Sequence, residues 1–437
     1  MKRLLFFFKN QIFRPRAIQV FRNLKESQYY NAEQLHRFQL NKLKRLLSHA
    51  VINSEFYRDK YKNNEVNISH ISDFQRLPIL SRAEVKNSSH QMIAEIDLKR
   101  VSRRITTGGS SGDPLEVYHD IRYPIDTFAW RVLQWWGGDQ SNNIAFIYRE
   151  VRTGWRKILN SMIWLPTRRI FLDASLLTEK KMGVFSKKIN RVRPPTLQGY
   201  VSGVLQYARF CEKENIKHDF LNCVWVTAAP LSEADRRYME RIFGCSVYDQ
   251  YGCSEVFWIS AECEMQDGLH IMAEARYVEI VDENDLPVKV GDYGDIVITD
   301  LENYFHPLIR YRNGDRGRLI SGDCKCGVML PRMDKVKGRI SDVVRVPSGA
   351  VIAGEYLTTI FDDAPDAVKC FQLQQKKDYS ISLVCVLGNG DDALEICNVK
   401  VHELERLTGN EIKVSLSIVE KIDHDRGKTR FILSDLN

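Results

Sequence analysis

No apolar run in this 437-residue sequence is long enough to cross a membrane, and none has the length and flanks of a secretory leader. The chain is therefore expected to work in the cytoplasm. Its ten cysteines are then expected to be reduced thiols or metal ligands, since disulfides persist only in oxidising surroundings. Also missing is a long basic tract with interleaved aromatics. A net charge of +7 spread over such a length is mild, so no nucleic-acid partner is expected. With 44% hydrophobic and 27% charged residues, no disorder is expected, and the length suggests two or three structural units with a large core.

Basic residues do gather at the N-terminus, where Lys2, Arg3, Lys9, Arg14 and Arg16 surround Leu4-Leu5-Phe6-Phe7-Phe8. Two readings fit: an interfacial anchor touching a membrane surface, or a first helix that lays its apolar side on the domain. From Asn23 to Tyr61 the residues Leu35, Phe38, Leu40, Leu43, Leu46 and Leu47 fall near helical spacing, so residues 1–100 read as a mainly helical lead-in. Pro78 interrupts it, and Ser81-Arg82-Ala83-Glu84 then has the form of a helix N-cap with glutamate three residues on.

Next comes Thr106-Thr107-Gly108-Gly109-Ser110-Ser111-Gly112-Asp113-Pro114, which suits neither a helix nor a regular strand. Glycine lets a backbone approach an anion, successive N–H groups form a nest, and hydroxyls add uncharged donors. The loop is either a phosphate clasp or a flexible connection; the alternating Leu115-Glu116-Val117-Tyr118 after it makes a strand-loop-strand setting. Trp130, Trp135 and Trp136 read as core aromatics on a helix.

Between Ile144 and Ala229, strand-like segments at Ile144–Tyr148, Leu197–Tyr200 and Val224–Thr227 alternate with helical ones, which predicts parallel βαβ units. Ligands in such sheets bind at the carboxyl ends of strands. Two turns have that position: Ala228-Ala229-Pro230-Leu231, and Tyr251-Gly252-Cys253-Ser254-Glu255 after Ser246–Gln250. The second offers an aromatic face for a base, a glycine for close approach, a hydroxyl for phosphate and a carboxylate for magnesium. Equally, Tyr251 reads as a buried ring and Glu255 as a helix cap.

Further on, Pro307-Leu308-Ile309-Arg310-Tyr311-Arg312-Asn313-Gly314-Asp315 contains an Asn-Gly turn signal, and Asp315 can accept two hydrogen bonds from a ribose diol. Gly338-Arg339-Ile340-Ser341-Asp342 follows, and Asp425-Arg426-Gly427-Lys428 lies near the end. Cys263, His270, Cys324 and Cys326 form a soft Cys3His set suited to zinc in a closed structural site, or else four reduced side chains in turns. Cys211, Cys223, Cys245 and Cys253 read as core or site-wall residues, with Cys253 redox-sensitive if exposed. The tail from about Ser341 reads as a separate α+β unit, with strands over Tyr379–Val386 and Lys413–Val419 around a helix over Ala393–Leu407.

In this order and spacing the loop, Tyr-Gly-x-Ser-Glu, Arg-Tyr-Arg-x-Gly-Asp, Gly-Arg and terminal Gly-Lys elements resemble the adenylate-forming superfamily. The segment from Gln34 to Ser81 and Leu197-Gln198-Gly199-Tyr200-Val201-Ser202 look like its phenylacetate-CoA ligase branch, and within it the CapK-type proteins of capsule and surface-polysaccharide clusters. The resemblance implies an α/β fold: a large N-terminal domain, residues 1–338, with parallel βαβ units, and a small mobile α+β lid, residues 339–437. It implies ATP-dependent activation of a carboxylic acid as an acyl-adenylate, with pyrophosphate released, then transfer to CoA. Transfer to a sugar amine or amino acid, or a non-catalytic scaffold in polysaccharide assembly, are the alternatives.

Site roles follow from the same resemblance. Thr106 to Gly112 would wrap the β- and γ-phosphates, Ala228, Ala229 and Pro230 would line adenine with Tyr251 stacked on it, and Gly252 would let the backbone approach. Ser254 would meet the α-phosphate, Glu255 would hold magnesium, Asp315 the ribose hydroxyls, Arg339 the nucleotide at the junction, and Lys428 would reach in from the lid. Similar Cys and Gly-Leu-His elements in relatives favour zinc at Cys263, His270, Cys324 and Cys326. Two departures stand out: Asp113 occupies a place where many members have lysine, and Ser341 the place of a hinge aspartate.

Overall fold

The computed structural model describes residues 1–64, 66–95, 102–107, 115–149, 154–336, 344–352, 357, 360–361, 363–364, 367–388, 390, 392–422 and 432–436. The chain forms two compact units. The first takes in Met1–Ile105, Glu116–Gln140 and Tyr248–Gly338; the second takes in Thr106–Leu115, Ser141–Val247 and Arg339–Asn437.

In the first unit the lead-in is helical as the periodicity predicts. Asn31 opens the helix Ala32–Asn53 with a reciprocal cap: its side chain accepts from Gln34 N at 2.9 Å, and Gln34 Oε1 accepts from Asn31 N at 3.0 Å. Leu35, Leu43, Leu46 and Leu47 are buried along one face. The predicted cap at Ser81 is also present, with Ser81 Oγ accepting from Glu84 N and Glu84 Oε2 accepting from Ser81 N. The tryptophans are core aromatics as expected. Trp130 meets Phe6 and Phe21 edge-on, while Trp136 stacks on Tyr248 with centroids 4.9 Å apart.

Three antiparallel strands, Arg276–Val281, Gly294–Asp300 and Tyr311–Gly317, form one sheet of this unit. Buried arginines lock it. Arg276 Nη1 lies 2.5 Å from Asp300 Oδ1, and Arg310 grips both oxygens of Glu279 at 3.0 and 3.2 Å. All four side chains are nearly inaccessible, so each charge depends on its partner; deleting one member of such a pair costs several kcal/mol, about 3–5. The first arginine of Arg310-Tyr311-Arg312 is thus a structural residue. The Asn313-Gly314 pair is not a hairpin turn: it lies inside the strand Tyr311–Gly317, where Gly314 takes φ +87° and the pairing with Asp295 and Val297 shifts register. A bulge admits the left-handed glycine without ending the strand.

Beside this sheet, Leu80 makes a parallel bridge to Tyr311, with Leu80 N donating to Arg310 O at 2.9 Å and Arg312 N donating to Leu80 O at 3.0 Å. Pro78 holds the segment before Leu80 extended, and the bridge sets the next helix, Arg82–Met92, down against Tyr311.

The second unit bears out the βαβ reading. Strands Cys223–Thr227, Thr196–Tyr200, Ile144–Tyr148 and Arg169–Asp173 lie parallel in that spatial order, with helices Gly154–Ile163, Glu179–Val192 and Val201–Lys213 in the intervening sequence. Their inner faces share one apolar cluster that includes Ile147, Leu197, Val204, Tyr207 and Val226. Gly199 is needed for this contact, since a Cβ there would come within 2.6 Å of Val204 and 3.0 Å of Ile147. The tail is α+β, as predicted: the helix Ala393–Leu407 accompanies strands ordered Val414–Ile418, Ile381–Leu387, Val368–Gln375 and Ile432–Ser434. Leu176 joins its apolar cluster, and Leu177 exchanges two backbone hydrogen bonds with Val351.

Candidate functional site

Within the first unit, the two motifs that the sequence separates by some sixty residues come together. Tyr251 ends the strand Ser246–Tyr251 and Asp315 sits late in Tyr311–Gly317. The Tyr251 hydroxyl donates to Asp315 Oδ2 at 2.8 Å, and Asn313 Nδ2 lies 2.6 Å from that hydroxyl and 3.1 Å from the same carboxylate oxygen. Asp315 N in turn donates to Asn313 Oδ1 at 3.1 Å. The αL turn at Gly314 is what folds Asn313 back on Asp315. Burial first, and then the Asp315 charge, pushes the Tyr251 hydroxyl well above its ordinary pKa, so it remains a donor at neutral pH.

The chain after Tyr251 is tightly wound. Cys253 N donates to Val256 O at 3.1 Å, and a Cβ on Gly252 would meet Trp258 N at 3.0 Å and Gln250 Nε2 at 3.1 Å. This winding buries Glu255 and leaves the preceding Ser254 exposed. Glu255 Oε1 accepts from Arg82 Nη1 at 2.5 Å and from the Tyr311 hydroxyl at 3.3 Å. Ser254 is pinned by its backbone: His119 Nε2 is 2.8 Å from Ser254 O, and the His119 ring stacks on Phe257 with centroids 4.5 Å apart. Burial lowers the His119 pKa, so the ring is neutral and donates through Nε2–H. The Cys253 thiol is pushed well up by burial and by the Glu255 charge, the opposite of an activated, oxidation-prone thiolate.

An ionised carboxylate offers about four lone-pair positions, and Arg82 and Tyr311 use one oxygen of Glu255, so the residue retains capacity for a divalent cation. Asp315, half-buried at a strand bulge and fixed from one side by Tyr251 and Asn313, has the chemistry to accept two hydroxyl donors. Arg82 and His119 carried no sequence signal of their own, and Asn313 only that of a turn. Arg82 reads only as the first residue of a capped helix, and its use depends on the Leu80 bridge.

In the second unit, Ala228 follows the strand Cys223–Thr227 with φ +74°, a left-handed conformation that a residue with a Cβ adopts only under constraint. Ala229 packs on the apolar cluster and Pro230 is exposed. Thr106 and Thr107 end the strand Ser102–Thr107, which pairs with Leu115–Asp120. Gly108, Gly109, Ser110, Ser111, Gly112 and Asp113, with Arg339, Ser341 and Lys428, lie outside the described residues.

A second constellation belongs to the first unit. The ligand atoms of Cys263, His270, Cys324 and Cys326 all lie within 4.8 Å of one another. Cys263 Sγ and Cys324 Sγ are 3.6 Å apart, and Cys326 Sγ is 3.3 Å from His270 Nε2. Tetrahedral zinc with Zn–S near ~2.3 Å places neighbouring sulfurs just under ~4 Å apart, so the set fits that ion. The histidine is oriented for it: Nδ1 lies 3.0 Å from Leu330 O, which leaves Nε2 facing the sulfurs. Burial lowers the His270 pKa to about 4, so the ring is a neutral donor. The Gly-Leu-His element has a conformational reason, since Gly268 takes φ +77° and a Cβ there would lie 3.0 Å from the backbone oxygen of Met333. Three of the four residues are buried, the closed form of a structural site.

Residues 344–435 match the family model of the CapK C-terminal domain. The chain is 23% identical over 423 residues to Protein CapK of Staphylococcus aureus, covering 88% of this chain and 86% of that protein. To the phenylacetate-coenzyme A ligase of Escherichia coli (strain K12) it is 27% identical over 329 residues, covering 72% of this chain and 73% of the relative. Among solved structures it is similar to 2-hydroxyisobutyryl-CoA ligase in complex with 2-HIB-AMP and CoA, with a TM-score of 0.65 at 19% identity over 94% of this chain and 92% of that one. The resemblance drawn from the ordered motifs is thereby borne out, as is the adenylate-forming α/β fold.

Proposed function

From its likeness to the phenylacetate-CoA ligase branch of the adenylate-forming superfamily, we propose that the chain is an AMP-forming ligase. It activates a small carboxylic acid with ATP, releasing pyrophosphate, and passes the acyl group from the acyl-adenylate to CoA. The observation that carries this reading is the Tyr251–Asp315 hydrogen bond, which sets a ring able to stack on a base beside a carboxylate able to take a ribose diol.

A carboxylate is a poor electrophile, so the acid attacks the α-phosphorus of ATP in line, and the charge that grows on the phosphoryl oxygens has to be met by fixed donors and cations. In this proposal Ser254 faces the α-phosphate and Glu255 holds magnesium. Thr106 to Gly112 wrap the β- and γ-phosphates, while Ala228, Ala229 and Pro230 line adenine. Lys428, carried on a lid of residues 339–437 with Arg339 at its junction, bridges the carboxylate and the α-phosphate. Its long stem and compact ammonium suit a group delivered by a moving domain.

The likeness to Protein CapK supports a place in surface-polysaccharide synthesis, and with it a cytoplasmic location beside the ATP and CoA pools. We also propose that Cys263, His270, Cys324 and Cys326 hold one structural zinc ion, which would tie two loops of the first unit to the strand Leu269–Ile271. The deciding experiment is ATP–pyrophosphate exchange across a broad panel of carboxylic acids. Exchange that depends on one class of acid is expected; none across the panel from folded protein would refute the ligase reading.

A further inference from the structure

The helix Lys2–Phe13 has apolar side chains on two faces, and only one of them is used. Phe6 turns inward, joining Ala17, Ile18, Phe21 and Trp130 in a small core cluster. On the opposite side Leu4, Leu5, Phe8 and Ile12, at helical spacing, are 74%, 51%, 69% and 56% exposed, and Phe13 beside them is 76% exposed. A helix that only needed to pack on its domain would carry polar residues there.

Charge identifies what this stripe meets. Residues 1–16 contain Lys2, Arg3, Lys9, Arg14 and Arg16 and no acidic residue. Arg3 meets Asp139 and Arg14 meets Asp126, which offsets part of that charge and fixes the helix on its unit. A second copy of the chain docking through this stripe about a two-fold axis would set the same cations against themselves. An anionic bilayer surface accepts both features at once: headgroups take the cations and the acyl boundary takes the leucines and aromatics. Among the described residues no helix is long and apolar enough to cross a membrane, so the association is peripheral.

We infer that the chain docks onto an anionic lipid surface through the exposed stripe of Lys2–Phe13. The test is sedimentation of the full chain with phosphatidylcholine vesicles, with and without roughly a quarter phosphatidylglycerol. Binding is expected only with the anionic lipid, and it should weaken at about 0.5 M salt, where the Debye length is a few ångströms. Phe8→Glu and Leu4→Glu should each reduce binding about tenfold, by removing a buried apolar side chain from the lipid contact, while leaving thermal melting and acid-dependent exchange unchanged. Absence of binding to anionic vesicles, or binding indifferent to both substitutions, overturns the proposal. So does a dimer in light scattering that either substitution dissociates without any vesicle binding, which would assign the stripe to a second copy.

Discussion

Arg82 Nη1 lies 2.5 Å from Glu255 Oε1, joining residues 173 positions apart in the chain. Glu255 is buried and Arg82 is less so, so removing the arginine leaves a carboxylate with no comparable counter-charge. Arg82→Ala is expected to lower stability by about 2 kcal/mol in urea melts, with Arg82→Lys restoring part of it. In exchange assays the alanine variant should also require less magnesium for half-maximal rate, because the Arg82 charge no longer competes with the cation for Glu255. An unchanged magnesium dependence would separate Glu255 from the metal.

The Tyr251–Asp315 contact makes a different demand. Tyr251→Phe keeps the ring and deletes one hydrogen bond, for an expected cost of about 1 kcal/mol. If Asp315 takes the ribose, the variant should raise the KM for ATP several-fold, about fivefold for 1 kcal/mol, with kcat nearly preserved. Asp315→Ala should raise it further. A loss confined to kcat would point away from nucleotide binding.

Lys428→Ala is expected to reduce acid-dependent exchange by at least about a hundredfold, since the charge it supplies is needed only as the α-phosphorus is attacked. ATP binding measured by calorimetry should be nearly unaffected. Equal losses in both would make Lys428 a binding residue only.

Metal analysis of protein purified without chelator should find about one zinc per chain. Cys326→Ser should remove it and lower the melting temperature, because the binding free energy of a structural zinc is also folding free energy. Full stability and no bound metal in the wild-type chain would leave the four residues as reduced side chains.

Acid should weaken the fold before its carboxylates titrate. Burial lowers the pKa of His218 and of His306 from 6.5 to about 4. Below pH 6.5 the unfolded chain therefore binds protons that the folded chain refuses, and stability falls with falling pH. Between pH 6.5 and 5.5 the slope should approach about 1 kcal/mol per pH unit for each of these histidines. Urea midpoints measured across that interval check it, and a flat profile would show that neither ring is buried neutral.

The sequence was informative where local rules act alone. The caps at Ser81, the helix Ala393–Leu407, and the alternation of strands and helices from Ile144 to Thr227 all follow from nearest-neighbour chemistry, and the structure has them. It misled at Asn313-Gly314, where pairing with the strand Gly294–Asp300 before and after these residues turned a hairpin signal into a bulge. It was silent on Arg82 and His119, whose roles come from long-range pairing. Nothing near Arg82 in the chain foretells that Leu80 will bridge Tyr311. Likewise Arg310 looks like a motif residue and turns out to be the buried partner of Glu279.

That bridge has a consequence for dissecting the chain. A fragment begun after residue 82 would retain Tyr251, Glu255 and Asp315 yet lose the extended segment from Leu77 to Leu80 and the guanidinium that follows it. It would also expose the edge on which Leu80 sits and strip Arg310 of a backbone acceptor at Leu77. The helical lead-in is therefore inseparable from the chemistry downstream, and minimal versions of this protein must be trimmed elsewhere.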